Sequence, residues 1–248
     1  MISLSAVMPA FNEEKNIGAM IDAMAATLAA ITPDFEIVVV DDGSRDETAE
    51  RVRDAALKHP QTRLVQHEAN RGYGAAVFTG FRSSVKEWIF FTDSDRQFDL
   101  DEIHKLLPFA GRFDLVIGWR APRRDPFMRR LNGWGWSTLV NLLFGYTARD
   151  IDCAFKLFRR AIIDQIGDTI ASRGATFSAE FLVRARRAGF SLHEVPLSGH
   201  RPRRAGSATG ARPAVILRAF RELMRFRRRL WAEPGRPAVS RPVSSEPG

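Results

Sequence analysis

The sequence predicts an α/β fold: one domain on a mainly parallel central sheet, followed by a C-terminal amphipathic helix and a disordered tail. Three observations predict it. Short apolar runs alternate with segments of helical period through the first 120 residues, the rhythm that buries a parallel sheet between helices. The runs are rich in β-branched residues and, as in residues 36–40, continuously apolar, which suits strands covered on both faces. Polar clusters follow the first, second and fourth runs, and ligands of such sheets gather at the carboxyl ends of strands.

Residues 2–8 read as a first strand, stopped by Pro9, and residues 13–30 as a helix with Ile17, Met20, Ile21, Met24 and Leu28 apolar at helical spacing. Residues 36–40 read as a buried strand ending in Asp41, Asp42, Gly43 and Ser44; Gly43 suits a turn, and Asp46 suits a cap for a helix at 46–59. A third strand at 63–67, a helix at 73–85, a fourth strand at 88–92, a helix at 100–109 and a fifth strand at 113–118 continue the alternation. The second half is less regular. Residues 131–148 carry no charge and approach the roughly 18–20 residues of a membrane span. Asn132, Asn141, Gly133, Gly135 and Gly145 make the stretch too polar for one, so it reads as a buried or interfacial helix. A helix at 179–188, a strand at 192–196, a Gly/Arg-rich loop at 200–210 and a helix at 213–231 follow. From Glu233 onward, the Pro, Ser and Gly content predicts disorder. The expected division is a domain at 1–210, a basic helix at 211–232 and a tail at 233–248.

The 37 Lys and Arg outnumber the 29 Asp and Glu, giving a net charge of +8, and the excess sits in 120–130 and 201–229. Such a balance attracts polyanions: nucleic acid, anionic lipid or phosphorylated substrate. Cys153 is the single cysteine, which excludes an intrachain disulfide and a cysteine-based zinc site and fits a reducing, cytosolic setting. Glu13 and Glu14 interrupt the N-terminal apolar stretch, which argues against a signal peptide.

The chemistry concentrates in Asp93, Ser94, Asp95, Arg96 and Gln97, just past the fourth strand. Two carboxylates two residues apart, with an amide oxygen two further on, match the oxygen donors preferred by a hard divalent cation that keeps sites open for phosphate. Read alone, the same segment is also an acidic turn capping the next helix. Asp42 at the end of the second strand suits either a turn or the acceptance of hydrogen bonds from a nucleobase or ribose. Residues 70–74 (Asn-Arg-Gly-Tyr-Gly) open a helix; they lack the lysine of a phosphate-binding P-loop and read as a tight turn.

In order along the chain, Pro9 to Glu13, Asp41 to Ser44, Asn70 to Gly74, Asp93 to Gln97, Gly118-Trp119-Arg120 and Asp152 to Leu157 together resemble glycosyltransferase family 2, in its dolichol-phosphate mannosyltransferase-like, polyprenyl-phosphate branch. The resemblance spans about residues 2–210. It implies a GT-A (Rossmann-like) fold and an inverting transfer from a nucleotide sugar, of GDP-mannose or UDP-glucose type, to a polyprenyl or dolichyl phosphate. By position, Pro9, Phe11, Glu13 and Asp42, with Asp93, would bind the donor, and Asp93, Asp95 and Gln97 would hold Mg²⁺ or Mn²⁺ bridging its diphosphate. Asp95, Arg120 and Glu180 would be the catalytic set, and Arg129, Arg130, Arg201 and Arg203 would bind acceptor or phosphate. Two positions depart from the family pattern: Phe11 stands where Tyr is frequent, and Ser207 is followed by Ala208, Thr209 and Gly210 where many relatives have Lys.

A polyprenyl phosphate is already anionic, so its attack needs orientation and screening more than proton removal, which arginines provide. No catalytic base is assigned; for a hydroxyl acceptor, Glu180 is the first candidate. The helix at 213–231 interleaves Ile216, Leu217, Phe220, Leu223 and Met224 with Arg218, Arg221, Arg225 and Arg228, the pattern of a helix lying on anionic lipid or packing on the domain with a solvated basic face. The expected setting is the cytoplasmic membrane face, bound peripherally, with an integral-membrane partner compatible and no nucleic-acid partner. Two alternatives remain open at this point: a family 2 transferase with a soluble or polysaccharide acceptor, and a non-catalytic RNA- or membrane-binding protein.

Overall fold

The computed structural model describes residues 1–122, 127–201 and 213–233. Its strands are β1 Leu4–Ala10, β2 Phe35–Asp41, β3 Thr62–Gln66, β4 Trp88–Thr92, β5 Leu115–Arg120, β6 Phe155–Arg159 and β7 Leu192–Leu197. They form one sheet in the order β3-β2-β1-β4-β6-β5-β7. The pairs β1–β2, β1–β4, β2–β3 and β5–β7 are parallel, whereas β6 is antiparallel to both β4 and β5 and so opposes the other six strands. Every residue of β1, β2 and β4 is buried, which explains their unbroken apolar runs. The helices are α1 Ile17–Ile31, α2 Thr48–Lys58, α3 Tyr73–Ser83, α4 Phe127–Phe144, α5 Arg160–Ile166, α6 Phe177–Arg187 and α7 Pro213–Ala232.

Three local expectations are corrected. Pro9 does not stop β1, which continues through it opposite Val40. The β4 side of the ladder has already ended at Val7–Phe91, and the Pro9 carbonyl accepts the Ser94 hydroxyl on that side, so the missing N–H leaves no ladder bond unmade. The segment 100–109 is two 3₁₀ turns, Leu100–Lys105 and Leu107–Phe109, because Pro108 cannot donate within a continuous α-helix. Strand β6 was not anticipated at all. Lys156 interrupts its apolar pattern, yet that ammonium is buried and donates to the carbonyls of Ile151 and Cys153.

The position of α3 controls the site, and two glycines set it. A Cβ at Gly80 would lie 2.3 Å from Val7 Cγ1, so the helix sits directly on β1. A Cβ at Gly74 would lie 2.5 Å from the Gly174 carbonyl oxygen and 2.7 Å from Phe177 Cβ, so the first turn of α3 presses against the segment leading into α6. The Ala75 N–H donates to the Arg173 carbonyl at 2.9 Å across that contact. Phe81 then packs into an aromatic cluster, 4.9 Å from Phe158 and 5.4 Å from Phe91 between ring centroids.

Helix α7 packs on this body through Leu223, Phe226 and Leu230, with Phe226 stacked on Phe144 at 5.0 Å. No helix among the described residues is long and apolar enough to cross a membrane. Most of the expected 200–210 loop and nearly all of the 233–248 tail lie outside the described residues.

Glu36 in β2 illustrates a buried carboxylate made favourable by its partners. It accepts from Ser5 Oγ at 2.6 Å, the Val85 N–H at 2.7 Å and Arg63 at 3.0 Å. Burial raises its pKa, but these hydrogen bonds and the Arg63 charge outweigh it and leave the group below the ordinary glutamate value. A lowered folded-state pKa stabilises above the unfolded value and is lost as pH falls through the folded one.

Three substitutions test this packing. Glu36→Gln should lower unfolding free energy at neutral pH by about 1–3 kcal/mol, and the gap to the parent should narrow below about pH 4 in denaturant titrations. Gly74→Ala should cost about 1–3 kcal/mol by overpacking. Gly135→Ala, with nothing within 4 Å of its added Cβ, should be neutral or gain up to about 1 kcal/mol in thermal unfolding.

Candidate active site

The carboxyl edge of the sheet opens into a cleft of about 280 Å³. Its lining comes from four places: Pro9 to Glu13 at the end of β1, Asp42 after β2, the turn into α3 at Asn70, Gly72 and Tyr73, and Asp93 to Asp95 after β4. Three chain segments predicted to converge therefore do so, because β1, β2 and β4 run parallel and adjacent.

Phe11 is held out over the cleft, 42% exposed. The turn beneath it is fixed by Asn12, whose φ of +55° falls in the left-handed region and whose side chain accepts from the Arg45 N–H, while the Asn12 N–H donates to Ser44 Oγ. Glu13 is buried and accepts from Asn16 Nδ2 at 2.7 Å, and its own N–H donates to Thr48 Oγ1. The N-cap of α2 is Glu47 rather than the expected Asp46, which sits one residue earlier and accepts from the Thr48 N–H and hydroxyl.

Asp42 is buried, and its carboxylate is already engaged. It accepts the Arg71 N–H at 2.9 Å and the Gly72 N–H at 2.8 Å, with His67 Nδ1 at 2.7 Å. It thereby shapes the turn that launches α3. Gly72, at φ +97°, supplies the backbone conformation that turn demands. Tyr73, the first residue of α3, donates its hydroxyl to Asp93 Oδ1 at 2.9 Å.

Asp93 and Asp95 follow β4 on a loop that Ser94 pins to β1 through the Pro9 carbonyl at 2.8 Å. Burial and the neighbouring charge of Asp95 push the Asp93 carboxyl up to about 7, against the pull of the Tyr73 hydroxyl, Lys156 and Arg120. The site is thus short of positive charge, which is the condition a divalent cation relieves. No group of three or more His, Cys, Asp or Glu converges among the described residues. Two protein carboxylates with the remaining positions left to water and phosphate is an arrangement that suits Mg²⁺ or Mn²⁺. The residues present fit such an ion.

The other expected site residues are placed as follows. Gln97 turns away from the cleft lining: its side chain donates to the Arg201 carbonyl at 3.2 Å, and the Arg201 N–H returns a 2.7 Å bond to the Gln97 carbonyl. Arg120, at the end of β5, is clamped by Asp150 through two 2.7 Å bonds. Arg130 and Arg201 are exposed. Arg203 and the side chain of Arg129 lie outside the described residues. Glu180 does not line the cleft. Fully buried in α6, it accepts from the Ala171 and Ser172 N–H groups and from Arg184 at 2.8 Å, with Arg229 of α7 at 3.4 Å. A carboxylate so enclosed braces the 170–173 segment.

Sequence reasoning assigned no role to Tyr73, Asp150 or Lys156. Burial lowers the Lys156 pKa, opposed by Cys153 and by Asp152, Asp150 and Asp93, so these groups share one electrostatic environment beside the cleft. Tyr73 and Lys156 each sit inside a motif of the family resemblance, Asn70 to Gly74 and Asp152 to Leu157, but what they touch is set by the fold.

The pattern of glycosyl transferase family 2 matches residues 5–167. Dolichyl-phosphate beta-glucosyltransferase ALG5C of Trichomonas vaginalis is 35% identical over 209 residues, covering 77% of this chain and 62% of that protein. Dodecaprenyl-phosphate galacturonate synthase of Rhizobium johnstonii is 31% identical, covering 66% of this chain and 50% of its own length. The chain thus spans between half and two thirds of these relatives. Glucosyl-3-phosphoglycerate synthase from Mycobacterium tuberculosis, crystallised with Mn²⁺, uridine diphosphate and phosphoglyceric acid, superposes with a TM-score of 0.70 at 19% identity, over 91% of this chain and 78% of that one. That likeness establishes the GT-A fold expected from the sequence. With the family pattern matched over more than half its length, the chain belongs to glycosyl transferase family 2.

Proposed function

We propose that this chain transfers a sugar from a nucleotide-sugar donor to a polyprenyl phosphate, inverting the anomeric carbon, at the cytoplasmic face of a membrane. The observation that carries the reading is the Asp93–Asp95 pair, short of positive charge, in a cleft that Phe11 and Glu13 also line. The names of the relatives support the acceptor class, since one is a dolichyl-phosphate and another a dodecaprenyl-phosphate transferase.

In this reading Phe11 meets the nucleobase, and Pro9 and Glu13 complete that part of the lining. Asp42 uses three of roughly four carboxylate acceptor sites internally, which leaves one for a nucleotide N–H or hydroxyl. Asp93 and Asp95 would hold the cation, and Gln97 holds their loop to Arg201. When bound, Mg²⁺ or Mn²⁺ supplies positive charge against the diphosphate that departs. A phosphate oxygen of the acceptor attacks the anomeric carbon as the bond to the donor diphosphate breaks, and no proton need be removed. Arg120 contributes positive charge beside Asp93, held in place by Asp150. Arg129, Arg130, Arg201 and Arg203 are the proposed screen for the acceptor phosphate. The enclosure of Glu180 favours this anionic acceptor, because a hydroxyl acceptor would lose the base first considered for it.

Membrane contact is assigned to the outer side of α7. Its apolar side is spent on the domain, whereas Arg221, Arg225 and Arg228 are exposed together with Leu217, Phe220 and Trp231.

Two experiments test these statements. Calorimetric titration of GDP-mannose, UDP-glucose and UDP-N-acetylglucosamine with Mn²⁺ should show one donor binding, and Asp95→Ala should abolish it; a folded chain that binds none would sink the transferase reading. Flotation with phosphatidylglycerol vesicles should be lost in the triple variant Arg221→Glu, Arg225→Glu, Arg228→Glu, and unchanged flotation would remove α7 as the contact.

A further inference from the structure

A second cavity, of about 270 Å³, opens beside α3 and shares no residue with the donor cleft. Its lining includes Arg71, Phe78, Thr79, Arg82, Ser83 and Arg173. Three arginines from two chain segments line it. Arg173 is fixed in place: it donates to the carbonyls of Ile170 at 2.7 Å and Ser172 at 3.0 Å and lies 4.2 Å over the Phe78 ring. Arg82 has one partner, the highly exposed Asp168, at 3.2 Å. Arg71 forms no ion pair with a described carboxylate. Three arginines face the solvated Asp168 and the charge of Glu180, which is itself paired with Arg184 and Arg229, so the cavity is left net positive, and Thr79 and Ser83 line it too.

Like charges lining one cavity cost free energy unless an anion offsets them. Burial and the proximity of Arg71 lower the Arg173 pKa, while Glu180 opposes them. Planar guanidinium forks with neighbouring hydroxyls match the oxygens of a phosphate group, and Phe78 gives an apolar floor for whatever carries it.

We propose that this cavity is a phosphate-binding site, separate from the donor cleft, in which Arg71, Arg82 and Arg173 grip the phosphate oxygens. The proposal does not rest on the transfer reaction. The cavity also connects to the cleft: Thr79 Oγ1 is 3.0 Å from His67 Nε2, and His67 Nδ1 is 2.7 Å from Asp42. The backbone of Arg173, through its carbonyl, holds the first turn of α3. An occupant therefore touches the turn that shapes the donor cleft.

Two sources offer this chemistry, free phosphate and a lipid headgroup. Segment 172–176 lies against α7, where Thr176 Oγ1 donates to Glu222 at 3.1 Å, and α7 is the helix proposed above to meet the membrane. The test follows backbone amide shifts of the full chain in metal-free buffer as inorganic phosphate is added, with flotation on phosphatidic acid and on phosphatidylcholine vesicles in parallel. Amides of Ala75, Thr79 and Arg173 should shift while those of Phe11 and Asp95 stay put. Arg71→Gln with Arg82→Gln should weaken binding by about tenfold or more, as expected for lost charge-assisted bonds. Both residues are exposed, and far-ultraviolet dichroism checks that the double variant keeps its fold. Phosphate binding lost in the variant, with vesicle binding indifferent to it, assigns free phosphate. Selective loss of phosphatidic acid binding, without a response to inorganic phosphate, assigns a lipid. Phosphate shifts confined to the donor cleft, or binding of both probes unaffected by the variant, would overturn the site.

Discussion

Asp42 presents a carboxylate, 3% exposed, at the end of β2, and there it gathers two backbone N–H groups and an imidazole. A buried carboxylate without such partners would cost several kcal/mol. The turn at 70–72 is therefore tied to the sheet edge, and much of the site inherits its geometry from that tie. The turn sets where α3 begins. The start of α3 sets where the Tyr73 hydroxyl stands, and Tyr73 reaches Asp93. Glycines at 74 and 80 let the helix come close enough for this to happen.

The cleft itself is built with an imbalance. Asp93 and Asp95 face one another's charge in a partly enclosed place, and the cations nearby are mostly committed elsewhere. Lys156 is spent on backbone carbonyls, and Arg120 is paired with Asp150. These cations moderate the repulsion without cancelling it, so the Asp93 carboxyl remains high at about 7. A protein that fully neutralised this pair would have less to offer a divalent ion or the diphosphate it accompanies.

Away from the cleft, charge serves stability. Glu180 in α6 holds the 170–173 segment by two backbone bonds and joins Arg184 and Arg229, while Arg184 also binds Glu233 at 2.7 Å. This network fastens α7 to the same segment that steadies α3. A carboxylate that sequence position marked as catalytic is, in the folded chain, a joint between the C-terminal helix and the body.

What the sequence by itself determined was the parallel part of the sheet and the two carboxylate clusters at its edge. Buried strands, amphipathic helices and Asp-rich strand ends are short-range patterns, each legible within about a dozen residues. Asp41 and Asp42, Asp93 and Asp95, and Phe11 with Glu13 were readable for that reason. Only the tertiary structure decided the rest. The reversed strand β6 carries a buried lysine at its second position, and its pairing with β4 and β5 joins segments tens of residues apart. Tyr73 finds Asp93 twenty residues on, Arg120 finds Asp150 thirty residues on, and Glu180 meets Arg229 across forty-nine. A charged side chain looks the same in sequence whether it meets substrate or another side chain. Which of the two it meets depends on what the chain folds against it.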